Sequence, residues 1–184
     1  MLQSFFLWFY CLNLAYSVLL VLACSAAYLL LRRFYGRKRF WRPVITAFFL
    51  LWLLVIATAT LSGRSPSMDT AAPQLLPFHS YRKVLAGGSR EILRSNLMNV
   101  LLFYPAGLLG CELLQNTRPR SACVHLSTIL GALCSMAIEL CQYFFALGQF
   151  EADDVLHNTL GVLFGALVSL IALKRVPDEH NHRL

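Results

Sequence analysis

Long runs of apolar residues dominate the chain and alternate with short polar segments. Two runs contain no charged residue, at positions 5–31 and 44–61, and three more with some polar positions follow at about 96–114, 122–147 and 155–173. Each is close to the ~20 residues that a helix needs to cross a hydrocarbon core ~30 Å thick. The pattern therefore predicts an all-α integral membrane protein, a bundle of about five transmembrane helices.

Composition supports this prediction, and the placement of charge indicates an orientation. Hydrophobic residues make up 58% of the 184 positions and charged residues 14%, which is too much apolar surface for a soluble domain of this size. Basic residues crowd the segments after the first, third and fifth runs: Arg32, Arg33, Arg37, Lys38, Arg39, Arg42, Arg118, Arg120, Lys174, Arg175 and Arg183. The positive-inside rule makes these segments cytoplasmic, with the N-terminus outside and the C-terminus inside. The net charge of +7 thus indicates topology and contact with anionic lipid, and no nucleic-acid partner is expected.

The apolar runs divide the chain into four parts. Residues 1–61 hold two N-terminal helices joined by a basic cytoplasmic loop, and residues 62–95 form an extracytoplasmic loop. Residues 96–176 form a three-helix core, and residues 177–184 form a cytoplasmic tail.

The extracytoplasmic loop carries three prolines and a Gly-Gly pair, so the sequence indicates no regular secondary structure in it. Within the loop, "PQLLPFHSYRK" becomes apolar again. This pattern predicts either a return to the membrane surface, with His79, Arg82 and Lys83 at the level of anionic headgroups, or an ordinary interfacial loop with aromatic anchors.

Small and polar residues, joined by Phe103 on the third helix, line one face of each of the last three predicted helices, at spacings of three and four. These residues are Asn96, Asn99, Phe103, Gly107 and Gly110, then Thr128, Gly131, Ser135, Glu139 and Gln142, then Asp154, Asn158, Gly161, Gly165 and Ser169. Lipid rejects polar faces, and small residues allow helices to approach closely, so the three faces are predicted to pack on one another. Pro105 predicts a kink in the third helix.

Glu139 is the deepest acid, ~12 Å below the outer end of its helix, whereas Asn99 and Asn158 lie ~5–6 Å below the ends of theirs. An ionisable group at that depth indicates a functional site, and its carboxylate needs a proton or a nearby cation. The sequence therefore predicts a polar site between three helices that opens to the outside. Its candidate catalytic residues are Glu139, Asp153 and Asp154, and its candidate binding residues are Asn99, Gln142, Asn158, His79 and Arg82.

Structural roles are the alternative for several of these residues. Asp154 is suited to cap the fifth helix and Asp153 to interact with its dipole, while Asn99 and Asn158 could serve as interhelical hydrogen-bonding groups. The six cysteines form no CxxC pair and are predicted to be small buried hydrophobes. The sequence has no GxSxG, HExxH or P-loop motif and does not identify a metal or cofactor.

Four segments in the second half of the chain, "LLPF", "NVLLFYPAG", "IELCQ" and "DDVLHNTLGVLFG", resemble the VanZ-like family in order and spacing. This family comprises bacterial membrane proteins named for a member associated with teicoplanin resistance. The resemblance places the family's motif positions on Pro77, Phe78, Asn99, Phe103, Pro105, Gly107, Glu139, Gln142, Asp153, Asp154, Asn158, Gly161 and Gly165. Two departures stand out: no basic residue occurs from position 147 to 154, where the family commonly has an arginine, and Glu151-Ala152 replaces an aspartate and a larger aliphatic residue.

The resemblance and the polar faces together leave three functions open. The first is a noncatalytic protein of the bacterial cell membrane that lowers susceptibility to teicoplanin-type antibiotics, either by binding a lipid-linked cell-wall precursor or glycopeptide or by partnering other envelope proteins. The second is a membrane enzyme acting on lipid-linked or phosphate-headgroup substrates, with Glu139 as general acid or base and Asp153 and Asp154 as further carboxylates or metal ligands. The third is a small transporter with a proton site at Glu139. The lipid bilayer is the expected partner in every case.

Overall fold

The computed structural model describes residues 14–36, 38–62, 72–89, 91–115 and 119–174. Over these residues the chain is all-helical apart from one isolated β-bridge. Its six helices are α1 (Leu14–Tyr35), α2 (Trp41–Leu61), α3 (His79–Leu85), α4 (Glu91–Leu114), α5 (Arg120–Phe144) and α6 (Ala152–Lys174). All but α3 are long and apolar enough to cross a membrane, which confirms the prediction of a five-span membrane protein.

The helix ends differ from the predicted ends by a few residues. The helix α1 continues to Tyr35, past the apolar run, and the start of the first predicted span (positions 5–13) lies outside the described residues. The helix α5 ends before position 147 because Ala146 adopts a left-handed conformation with φ of 55°. There the Leu147 amide donates to the Gln142 carbonyl at 2.8 Å, a C-terminal capping pattern in which glycine is the usual residue.

The centre of the bundle is the packing of α6 against α4, with α5 beside them. Glycines make this contact close. A Cβ atom added to Gly165 would overlap the carbonyl oxygen of Tyr104 and lie 2.7 Å from the amide nitrogen of Leu108. Additions at Gly161 and Gly107 would likewise meet the backbone of the facing helix. The predicted meeting of the small faces is therefore present, with backbone against backbone.

The helix α4 passes through Pro105 without interruption. Proline cannot donate to the carbonyl one turn earlier and crowds that turn, so backbone acceptors there need other partners. The indole nitrogen of Trp52 on α2 donates to the carbonyl of Leu102 at 2.9 Å. A neighbouring helix thus supplies a hydrogen bond in the turn before the proline, as membrane helices require.

A buried polar cluster ties α1 to the rest of the bundle at the end where α1 stops and α2 begins, which we call the basic end. Glu112, only 3% exposed, pairs with Arg32 (Oε1 to Nε, 2.6 Å). It also accepts hydrogen bonds from the Trp41 indole at 2.9 Å and the Tyr28 hydroxyl at 2.8 Å. Within the described part of the chain, this cluster and a hydrogen bond between the Ser25 and Tyr104 hydroxyls at 2.7 Å attach α1 to α4. Glu112 was not among the residues predicted from the sequence to have a role.

The opposite end of the bundle is covered by the residues before α4, and the absence of regular structure predicted there is wrong. This segment contains α3 and a parallel bridge between Gln74 and Glu151. In the bridge, the Gln74 amide donates to the Phe150 carbonyl at 2.8 Å, and the Ala152 amide donates to the Gln74 carbonyl at 2.9 Å. The segment is thereby fixed to the turn between α5 and α6.

Candidate ligand-binding chamber

A polar cavity of about 290 Å³, which we call the chamber, lies beneath α3 at this end of the bundle. It is bounded by α3, the first turns of α4, the end of α5 and the start of α6. Its ionisable lining residues are His79, Lys83, Glu151 and Asp154, and its amide side chains are Asn96, Gln142 and Gln149. The chamber therefore offers hydrogen-bond donors, acceptors and charges of both signs at the edge of the transmembrane region.

The carboxylate of Asp153 holds α3 in place over the chamber. It accepts hydrogen bonds from the backbone amide of Phe78, from the amide of Ser80 at 2.7 Å and from the hydroxyl of Ser80. These donors belong to the first turn of α3, whose amides have no partner within the helix. Asp153 is thus the N-terminal cap of α3, although it lies in α6.

A strained residue accompanies this cap. Phe78 has φ of 64°, a left-handed conformation that costs a residue with a side chain ~1–3 kcal/mol. The same residue donates its amide hydrogen to Asp153. The cap therefore helps to maintain the sharp turn by which the chain enters α3.

Two further hydrogen bonds join α3 to the membrane helices. The Ser80 hydroxyl accepts a hydrogen bond from the Asn96 side chain at 2.9 Å, which extends the Asp153 network to α4. The Tyr81 hydroxyl lies 2.8 Å from Nε2 of His157 on α6. Both Ser80 and His157 are buried, so α3 is fixed to the bundle by desolvated contacts on both sides.

Glu139 lies behind the chamber wall and is 2% exposed. Its Oε2 accepts a hydrogen bond from the backbone amide of Glu151 at 3.1 Å. Glu151 in turn lines the chamber and forms the β-bridge with Gln74. The deep acid is therefore linked to the chamber through the turn that precedes α6.

Three amide side chains from the predicted site connect the helices. Asn99 donates to Asp154 at 2.9 Å and joins α4 to α6, while Gln142 donates to the Thr60 carbonyl at 2.9 Å and joins α5 to α2. Asn158 donates to Ser135 at 2.9 Å. These hydrogen bonds support structural roles between helices for all three residues. Gln142 also lines the chamber, so it can contact a ligand as well.

The predicted site residues thus fall into groups. His79, Gln142 and Asp154 line the chamber. Asn99 and Glu139 lie directly behind it, through Asp154 and Glu151.

The other predicted residues lie elsewhere. Asp153 caps α3, and Asn158 bonds within the helix interface. Arg82 is exposed and is not part of the chamber lining, whereas its neighbour Lys83 is.

Ser80 and Gln149 line the chamber but had no predicted role, whereas Lys83, which was expected at headgroup level, lines it as well. Ser80 and Lys83 are on α3, in the predicted interfacial segment. No local pattern marks Gln149.

The lining suits recognition of a polar group. Among the described residues, no group of three or more His, Cys, Asp or Glu side chains is placed to hold a metal ion. Lys83 and His79 lie on the α3 wall, and the lining also includes Glu151 and Asp154. Such a wall can bind a phosphate-bearing group while the carboxylates and amides accept and donate hydrogen bonds to hydroxyl or amide groups.

Comparison with known proteins gives one result. The profile of the VanZ/LLP1 family matches residues 40–173, a segment that begins just before α2 and ends within α6. The match includes the second helix, where sequence reasoning had recognised no family feature. No curated protein and no solved structure matches the chain.

Proposed function

We propose that this chain, which belongs to the VanZ/LLP1 family, is a multi-pass protein of the bacterial cell membrane that binds the polar headgroup of an envelope lipid in the chamber. By holding a lipid-linked cell-wall precursor there without transforming it, the protein lowers susceptibility to glycopeptide antibiotics of the teicoplanin type. The observation that carries this proposal is the chamber itself, a polar cavity of about 290 Å³ at the end of an apolar bundle. Its volume is near the lower limit for small-molecule sites.

The charge distribution supports an extracytoplasmic chamber. Arg32, Arg33, Lys38, Arg39 and Arg42 lie at the opposite end of the bundle, which the positive-inside rule assigns to the cytoplasm. Cell-wall precursors are used on the outer face of the membrane, so an outward-facing chamber would meet them there.

The exposed apolar side chains around α3 support a position at the membrane surface. They are Leu75, Leu76, Phe78 and Leu85, with exposures between 55% and 88%. Phe144 and Phe145 at the end of α5 are also exposed, at 75% and 67%. Apolar and aromatic groups at this level insert into the headgroup region. The entrance of the chamber would then lie where lipid headgroups are found.

The proposal is tested by removing one charge from the chamber and measuring teicoplanin protection in a sensitive host. Asp154→Asn keeps the shape of the side chain but removes its charge, and we expect protection to be lost while the melting temperature in detergent changes little. Glu91→Gln is the matched control, because Glu91 is an exposed acid at the same end of the bundle and does not line the chamber. Unchanged protection with Asp154→Asn, or equal loss with Glu91→Gln, would contradict the proposal.

A second candidate function is an enzyme that acts on a lipid-linked or phosphate-headgroup substrate. The observation that favours it is the shared lining by His79, Asp154 and Glu151, with Glu139 hydrogen-bonded to the Glu151 backbone. In this case Glu139→Gln would abolish turnover of lipid extract by purified protein while the substrate remained bound. The binding function predicts no turnover by the wild-type protein.

A further inference from the structure

An apolar cleft of about 400 Å³ lies between α2, α4 and α5, with Val162 of α6 at its back. Side chains that line it are Phe49, Ile56, Phe103, Gly110, Leu130 and Cys134. The cleft runs from the middle of these helices toward the end opposite the chamber, where Leu113 and Leu114 at the end of α4 also line it. A cavity with such walls does not hold water, and its lining side chains lack contacts on one side when nothing fills it.

A buried hydroxyl group in this cleft has no hydrogen-bond partner among the described residues. Ser127 lines the cleft and is 6% exposed, and its hydroxyl oxygen makes no hydrogen bond with the part of the chain that the structure describes. The neighbouring Thr128 instead bonds to the carbonyl of Val124 at 2.8 Å. Buried hydroxyl groups without a partner are unfavourable. The unpaired hydroxyl of Ser127 therefore indicates that a ligand of this cleft has a polar atom as well as an apolar body.

The cleft and the chamber follow one another along the same helix faces. On α5, Cys134 at the cleft and Gln142 at the chamber are eight residues apart, which corresponds to ~12 Å along the axis. On α4, Phe103 and Asn96 are seven residues apart, or ~10 Å. The cleft therefore lies at the depth of lipid chains when the chamber lies at the level of headgroups.

We propose that this cleft binds the hydrocarbon chain of a membrane lipid, with an ester or hydroxyl oxygen of the lipid near Ser127. The bilayer surrounds the five spans and supplies apolar chains at this depth. The inference does not depend on the function proposed for the chamber, since the cleft is formed by different residues.

The test compares two neighbouring tryptophan substitutions. Cys134 and Leu133 are both exposed on α5, but only Cys134 lines the cleft. Protein is reconstituted in vesicles of equimolar dioleoylphosphatidylglycerol and dioleoylphosphatidylethanolamine, extracted in detergent and weighed by native mass spectrometry. We expect wild type and Leu133→Trp to retain a lipid and Cys134→Trp to lose it.

A second variant fills the cleft from the other side. Gly110 lines the cleft, and a Cβ atom there would have its nearest neighbour, the Phe49 ring, at 3.4 Å, so Gly110→Leu places an apolar side chain in the cleft and its Cβ meets no backbone atom. It should also lose the lipid. Melting temperatures near wild type for both cleft variants would show that the loss is not caused by unfolding.

Three outcomes would overturn the inference: no lipid retained by wild type, equal retention by Cys134→Trp and Leu133→Trp, or a second protein copy in place of the lipid that Cys134→Trp removes.

The antibiotic assay separates this inference from the function of the chamber. If Cys134→Trp keeps the lipid while Asp154→Asn abolishes protection, the cleft inference fails alone. If Cys134→Trp loses the lipid while Asp154→Asn keeps protection, the proposed function fails alone.

Discussion

Replacement of Asp153 by asparagine should release α3 from the bundle. The Asp153 carboxylate accepts three hydrogen bonds from Phe78 and Ser80. Asparagine has the same shape, but only one of its two terminal atoms accepts hydrogen bonds, and its amide nitrogen would face a backbone donor. At least one amide in the first turn of α3 would then be left without a partner.

The magnitude follows from the groups involved. A hydrogen bond to a charged group contributes ~1.5–3 kcal/mol, and a buried donor left without a partner costs ~1–3 kcal/mol. The left-handed Phe78 adds strain that the cap no longer offsets. We therefore expect the free energy of local opening of α3 to fall by ~2–4 kcal/mol, a net value from the lost and unpaired hydrogen bonds.

Hydrogen–deuterium exchange measures this opening directly, because amides in α3 exchange when the segment detaches. Since each 1.4 kcal/mol corresponds to a factor of ten, exchange of α3 amides should accelerate by ~30-fold or more in Asp153→Asn. Glu91→Gln is the control, because the exposed Glu91 pairs only weakly with Arg94 at 3.5 Å and should leave α3 unchanged. Peptides from the α4 and α6 interiors should also be unchanged.

The same experiment distinguishes a positioning role from a catalytic role for Asp153. If Asp153 positions α3, protection against teicoplanin is lost in proportion to the opening of α3, and Asp153→Glu also fails because the longer side chain shifts the cap. Unaltered exchange in α3 of Asp153→Asn would refute the capping argument. Loss of function without faster hydrogen exchange in α3 would instead indicate that Asp153 is a catalytic residue.

Two predictions concern the bundle and are measured by thermal melting in detergent. Gly165→Ala should lower the free energy of unfolding by ~1–3 kcal/mol, because the added methyl group meets the backbone of Tyr104. Gly110→Ala is the control and should be neutral or slightly stabilising, because the added Cβ atom meets only the Phe49 ring at 3.4 Å. Equal effects of the two substitutions would contradict backbone contact between α4 and α6. Glu112→Gln removes the buried counter-charge of Arg32 and should destabilise by ~3–5 kcal/mol, and an unchanged melting temperature would show that the cluster does not hold α1.

The spans and their contacting faces could be predicted because both depend on local periodicity. Apolar runs of sufficient length identify transmembrane helices, and small residues three and four apart must share a face. Gly161 and Gly165 illustrate this, since their spacing predicted the close approach that the structure contains. The position of the predicted site near the start of α6 and the end of α5 follows from the same argument.

The partners of individual acids could not be predicted, because they come from distant parts of the chain. Capping was an alternative for Asp153 and Asp154, but the helix that Asp153 caps is α3 and not its own. Glu112 sits at the end of an apolar helix, and nothing nearby in sequence indicates Arg32 or Trp41 as its partners. Such pairings depend on how the helices assemble, which the hydrophobic pattern does not specify.

The distribution of polar groups also bears on transport, the third function that the sequence left open. The chamber and the Glu112 cluster lie at opposite ends of the bundle. Between them the described helices pack through a buried apolar cluster of Ile56, Leu102, Phe103, Ile138 and Val162. An ion or proton crossing this layer would have no polar partner among those side chains, at a high cost in free energy. This apolar layer, which is interrupted by the buried Asn158–Ser135 pair, favours entry and exit of a chamber ligand on one side of the bundle, as the binding proposal expects.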